Sequence, residues 1–190
     1  MKKEDNIFEI YKLIQQKTPR NVVSVDKVVR DENTDSVIIT LSPIGTKVIP
    51  ERLSHEEQID AIQSVLNALV DLHEIGITHR DIRWENVLQH EEGHFFLIDF
   101  DEACFGTSPN ARMDLAEASH APEIQKGTHG PSVDIWSVGY LCRRLNGTIW
   151  KKLEKLISSQ ANPLKQPTDQ EALHTLDQYI IEYKQCPNKS

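Results

Sequence analysis

The 190 residues include 21 basic and 29 acidic side chains, a formal net charge of -8, with 38 % hydrophobic and 26 % charged content. That composition suits one globular domain with a real core, and its acidic balance argues against nucleic acid or an anionic membrane as the main partner, since both select basic surfaces. No run of about 18 apolar residues offers a membrane span, and the start, MKKEDNIFEI, has no apolar stretch behind its lysines, so no secretion signal is read there.

From the N-terminus, EDNIFEIYKLIQQ carries Ile7, Ile10, Tyr11 and Ile14 at the spacing of one helical stripe, and TPRN ends it. NVVSVDKVVR and SVIITL are β-branched runs on either side of the polar DENTD, which predicts a hairpin. SPIGTKVIP reads as a connector. Ser54 with Glu57 three residues on forms a capping box, opening a helix with Ile59, Ile62, Leu66, Leu69 and Val70 on one side and a stop at Gly76. Two short apolar runs, NVLQ and HFFLIDF, flank the turn HEEG, and an irregular stretch runs from Glu102 to His120. VDIWSVGYLCRRL reads as a buried helix, and WKKLEKLISS and TDQEALHTLDQYIIEY as two amphipathic ones. This order predicts an α+β domain, mainly α, with a thin sheet.

The three cysteines, Cys104, Cys142 and Cys186, are odd in number and lack metal-ligand spacing, so they read as reduced thiols in a cytoplasmic or nuclear setting. HEEGH (His90 to His94) is not the HExxH zinc motif and reads as a polar turn. Chemistry concentrates elsewhere, in four signals that follow in order. They are HRDIRWEN from His79 to Asn86, IDFD with Asp99 18 residues after Asp81, HAPE ending at Glu123, and DIWSVG starting at Asp134. Each alone is weak; the ordered set is specific. It resembles the C-terminal lobe of eukaryotic-type protein kinases, with wording closest to divergent kinase domains of filamentous fungi and the Crinkler-type effectors of oomycetes.

The resemblance runs from Glu9 to the last helix. It implies an N-lobe remnant over 1–44, made of the family's αC helix, two antiparallel strands and the hinge. A helical lobe without a recognisable αG follows over 45–190, the two forming one compact domain. It implies ATP and Mg²⁺, a protein substrate or partner, and roles for single residues. Asp81 stands where the family's proton-accepting carboxylate stands, Asn86 and Asp99 where its metal ligands stand, and Arg83 where Ser/Thr kinases carry a phosphate-facing lysine. His79 and Phe100 match packing residues, Asp134 a residue that ties a helix start to the catalytic loop, and Glu123 one half of an ion pair. Arg80 is the basic residue expected to meet a phosphate on the activation segment, where Thr107, Ser108 and Ser119 are the hydroxyls; a plain flexible loop is the competing reading there. Trp84, Trp136 and Trp150 read as core or cleft wall.

Departures from the pattern are as informative. Before Gly76 the only glycine is Gly45, so no glycine-rich loop exists in the first 75 residues. Glu9, ten residues before Pro19, matches the glutamate that pairs with a strand lysine, which is expected upstream of residue 1; Lys27 reads as a strand-edge lysine rather than its substitute. Thr40, Leu41 and Pro43 fall on the hinge that would meet the adenine, and proline has no N–H to offer it. Asp101 replaces the glycine of the metal-binding triplet. Two readings follow: a Ser/Thr-type phosphotransferase, weak or needing completion by an N-lobe segment, or a pseudokinase acting as a binding or regulatory module. The exposed strand VIITL is expected to be covered by a partner or by a second copy in a homodimer.

Overall fold

The computed structural model describes residues 3–31, 34, 36–107, 121, 130–158 and 167–185. Helix α1 (Lys3–Lys17) starts on Glu4 and Asp5 and ends on Lys17, charges that complement its dipole. Its apolar stripe buries Ile10, Tyr11 and Ile14. The ribbon of β1 (Ser24–Asp31) and β2 (Ser36–Ser42) is antiparallel, from Ser24 opposite Ser42 to Asp31 opposite Ser36, with a bulge between Val25 and Lys27. The hairpin expectation therefore holds for the strands.

The connector is more structured than its sequence suggests. It contains a cis Ser42–Pro43 bond, the two-residue strand β3 (Thr46–Lys47) and a 3-10 turn over Pro50–Arg52. Strand β3 pairs with β5 (Val87–Gln89), which pairs with β6 (Phe95–Leu97). Gly45 fits this path because a Cβ there would lie 2.7 Å from both Leu88 Cβ and Phe96 Cζ. The ribbon joins this second sheet through a parallel bridge between Val22 and Leu97, where Val23 N–H donates to the Leu97 carbonyl (2.9 Å) and Leu97 N–H to Asn21 (2.8 Å).

Helix α2 (His55–Glu74) is the central post. Both halves of the predicted capping box form: Glu57 N–H donates to Ser54 Oγ, and Ser54 N–H to the Glu57 carboxylate. Ile59, Ala61, Ile62, Val65, Leu66, Ala68, Leu69 and Leu72 are buried along it, and it packs against β6, α3 (Ser132–Cys142) and α5 (Asp169–Gln185). Gly76 leaves the helix at φ 80°, where a side chain would be strained. The chain then enters β4 (Ile77–Thr78), which pairs with β7 (Cys104–Phe105). Helix α3 is buried nearly throughout, as its apolar composition predicts, and α4 (Thr148–Ser158) packs against it. One hydrophobic core runs from Ile10 of α1 to Leu176 of α5. The expected α+β character is thus met, with five helices and short strands among the described residues.

Candidate active site

The loop between β4 and β5 is built around a buried carboxylate on another element. Asp134 is fully buried near the start of α3; its Oδ2 accepts the backbone N–H of His79 at 2.8 Å and its Oδ1 that of Arg80 at 2.7 Å. Arg80 has φ 69°, a left-handed conformation that costs a non-glycine residue about 1–2 kcal/mol. The cost is met by over-determination: both flanking contacts are fixed, and Arg80 Nε also donates to the Glu102 carbonyl at 2.6 Å. The turn so enforced presents Asp81.

Asp81 is buried, and its Oδ2 accepts Asn86 Nδ2 at 2.9 Å and Arg83 Nε at 3.2 Å. Asn86 Nδ2 also donates to the Asp81 carbonyl at 2.9 Å. With its nitrogen spent twice on one residue, the Asn86 amide is oriented and its oxygen is the group left for a ligand. Trp84 anchors the intervening 3-10 turn, donating from Nε1 to the Leu141 carbonyl at 3.1 Å, while Arg83 stays half-exposed.

Asp99 is the second left-handed residue of the region, at φ 67°. Aspartate tolerates this better than arginine does, and its own Oδ1 accepts Asp101 N–H at 3.3 Å. Phe100 behind it is fully buried between the Tyr11 ring (centroids 5.7 Å apart, edge-on) and the His79 ring (4.8 Å). His79 reaches Asp81 N–H through Nδ1 (3.3 Å) and the Ile98 carbonyl through Nε2 (3.1 Å), and the Nε2–H tautomer satisfies both. Helix α1 supplies two further ties: Tyr11 Oη accepts Phe100 N–H at 3.3 Å, and Asn6 Nδ2 donates to the Ala103 carbonyl at 2.8 Å. Burial, aided by Asp101 and Asp99 nearby and opposed by the Phe100 amide, pushes the Tyr11 phenol up to about 12, so it stays protonated.

A protein kinase domain model matches residues 1–182. The chain belongs to the protein kinase family. Among relatives, Crinkler effector protein 8 of Phytophthora infestans is 36 % identical over 170 residues, covering 83 % of this chain and 26 % of that protein. The hormonally up-regulated neu tumor-associated kinase of Homo sapiens is 29 % identical over 164 residues, 76 % of this chain and 23 % of its own length. Serine/threonine-protein kinase SMU1 of Mycosarcoma maydis is 38 % identical over 102 residues, 51 % of this chain and 14 % of its own length. The chain thus spans about a quarter of the length of the first two relatives.

Within this kinase domain, the backbone brings the residues of HRDIRWEN and IDFD together, since Ile98 N–H donates to the Asn86 carbonyl at 3.0 Å. Thr40, Leu41 and Pro43 form an exposed run at the end of β2. Glu9 is exposed, whereas Glu4 and Ile7 of α1 line a cavity of about 670 Å³ together with Val37, Ile39 and Asp101. Thr107 is exposed; Ser108, Ser119 and Glu123 lie outside the described residues. Sequence reasoning missed Tyr11 as a polar contact, Asn6, and the pair His73 and Asp169; a histidine on the apolar side of α2 was the one signal of the last. No group of three or more His, Cys, Asp or Glu among the described residues is arranged to hold a metal alone. One carboxylate (Asp99) and one oriented amide oxygen (Asn86) fit a different case, a hard cation that takes its remaining oxygens from phosphate and water.

Proposed function

We propose that this domain transfers the terminal phosphoryl group of ATP to a Ser or Thr hydroxyl of a protein substrate. The observation that carries this reading is the buried Asp81 carboxylate, held by Asn86 and Arg83 in a loop that Asp134 fixes. Asp81 orients the acceptor hydroxyl and takes its proton as the new P–O bond forms and ADP leaves. Arg83, half-exposed with a forked guanidinium, is suited to a phosphate oxygen during transfer. Asn86 and Asp99 would hold Mg²⁺, which when bound neutralises phosphate charge. Glu4 and Ile7 line the open wall beyond Asp101, where the rest of a nucleotide site would be completed.

A second reading, a pseudokinase used as a binding module, is favoured by the absence of a glycine-rich loop from residues 1–75 and by Pro43, which offers no N–H along the exposed run. Positioning and electrostatics supply nearly all of phosphoryl-transfer catalysis, so a chain lacking a phosphate-covering loop should be slower by orders of magnitude. Calorimetric titration of the chain with ATP and Mg²⁺ separates the readings. Binding, followed by label transfer to a protein acceptor that Asp81→Ala abolishes, is the expected result. Absence of binding at millimolar nucleotide sinks the enzyme reading for this chain, and transfer that survives Asp81→Ala sinks the assignment of the base.

A further inference from the structure

The His73 ring lies between two carboxylates from two other helices. Its Nε2 is 3.0 Å from Asp134 Oδ2 of α3, and its Nδ1 is 3.1 Å from Asp169 Oδ2 at the first position of α5. The side chain is 9 % exposed, against 0 % for Asp134 and 14 % for Asp169. An ionised carboxylate only accepts, so the two contacts together require an N–H on each ring nitrogen, which is the imidazolium. The same Asp134 oxygen that meets His73 also accepts the His79 amide, and its partner oxygen accepts Arg80. A continuous path of charge-assisted bonds therefore leads from the C-terminal helix, through α2 and α3, to the two amides that force Arg80 into its left-handed turn beside Asp81.

We infer that Asp169 is a positioning residue for the Asp81 loop, acting through the His73 imidazolium and the Asp134 carboxylate on the amides of His79 and Arg80. Asp169 fixes the ring plane and keeps its second proton in place. Without it, His73 is free to tilt and Asp134 loses its cationic neighbour. Asp134 would then be a buried carboxylate met by two backbone amides and, at most, one N–H of a neutral imidazole. The charged groups facing the ring are Asp134 from α3 and Asp169 from α5. The same two helices, α2 and α5, are also joined by Gln63 Nε2 donating to Asp177 Oδ1 at 2.9 Å, a contact made without His73 or Asp134, which makes Asp177 the natural control.

The inference concerns loop geometry, and its kinetic consequence rests on the proposed phosphotransfer; the first readout is therefore spectroscopic. In ¹⁵N-labelled full chain, both His73 ring N–H signals are expected at neutral pH, and Asp169→Asn should lose one of them while shifting the His79 and Arg80 amides. Asp177→Asn should leave all four signals in place, and Asp169→Glu should restore the ring signals. Should Asp169→Asn fail to fold, Asp169→Ser against Asp177→Ser gives the same comparison, the first alone displacing the His79 and Arg80 amides. Unmoved His79 and Arg80 amides, or equal movement with the Asp177 variant, overturns the inference whether or not the chain transfers phosphate. Where transfer is measurable, Asp169→Asn should lower kcat by ~10-fold with KM for the acceptor unchanged.

Discussion

Tyr11 shows how much of the site is decided by single polar atoms on otherwise apolar residues. Its ring packs edge-on against Phe100 while its hydroxyl oxygen accepts the Phe100 amide. Tyr11→Phe keeps the ring contact and leaves that amide without an acceptor, so it should destabilise the fold by about 1–2 kcal/mol. The Phe100 amide should also exchange with solvent faster, as read by hydrogen exchange; unchanged exchange would mean another group takes the hydroxyl's place. A helical wheel placed Tyr11 correctly on the buried stripe, yet gave no hint of this bond, because periodicity says which face is covered and not by what. The same limit applies to Glu9. Counting back from Pro19 singles it out, but the turn of α1 that lines the cavity carries Glu4 and Ile7.

At the scale of elements, legibility follows the locality of the forces. Helix α2 was readable from end to end, since its cap, its stripe and its terminating glycine are all set by neighbours within four residues. Ser54→Ala removes the acceptor for Glu57 N–H and should cost about 1 kcal/mol in chemical denaturation. The strands β3, β4 and β7 were not readable. Each is two residues long, and β3 and β4 find partners 41 and 26 or more residues away, so no alternation marks them. The ribbon of β1 and β2 was legible as a hairpin from its β-branched runs, while its tie to the body through Val22 and Leu97 is a non-local bridge that no motif announces.

For the whole molecule, the three-helix charge cluster couples stability to pH. Burial alone would lower the His73 pKa, but the hydrogen bonds to Asp134 and Asp169 outweigh it and raise it from 6.5 to about 9. A folded pKa above the unfolded one means the native state holds the proton more tightly. The stabilisation is fully present below pH 6.5 and is lost as pH rises through about 9. Its size is on the order of 3 kcal/mol, the linkage worth of a shift that large. Denaturation midpoints should fall across that window in the natural chain and stay flatter in His73→Gln; a natural chain with no fall would show that the ring is not charged. The motif set had made Asp134 legible as the residue that ties helix to loop. Its extension to His73 and Asp169 was not, because it joins residues 61 and 35 positions away on either side.

The doubly anchored amide of Asn86 has a chemical consequence over time. Hydrolysis, the ordinary ageing reaction of asparagine, consumes a water, releases ammonia and would put a carboxylate where Nδ2 now sits 2.9 Å from Asp81 Oδ2. Two carboxyl groups that close do not both ionise, and the pair would hold one proton between them at neutral pH. An aged molecule would keep its mass to within about one unit, yet carry an acid where the fresh one carries a base.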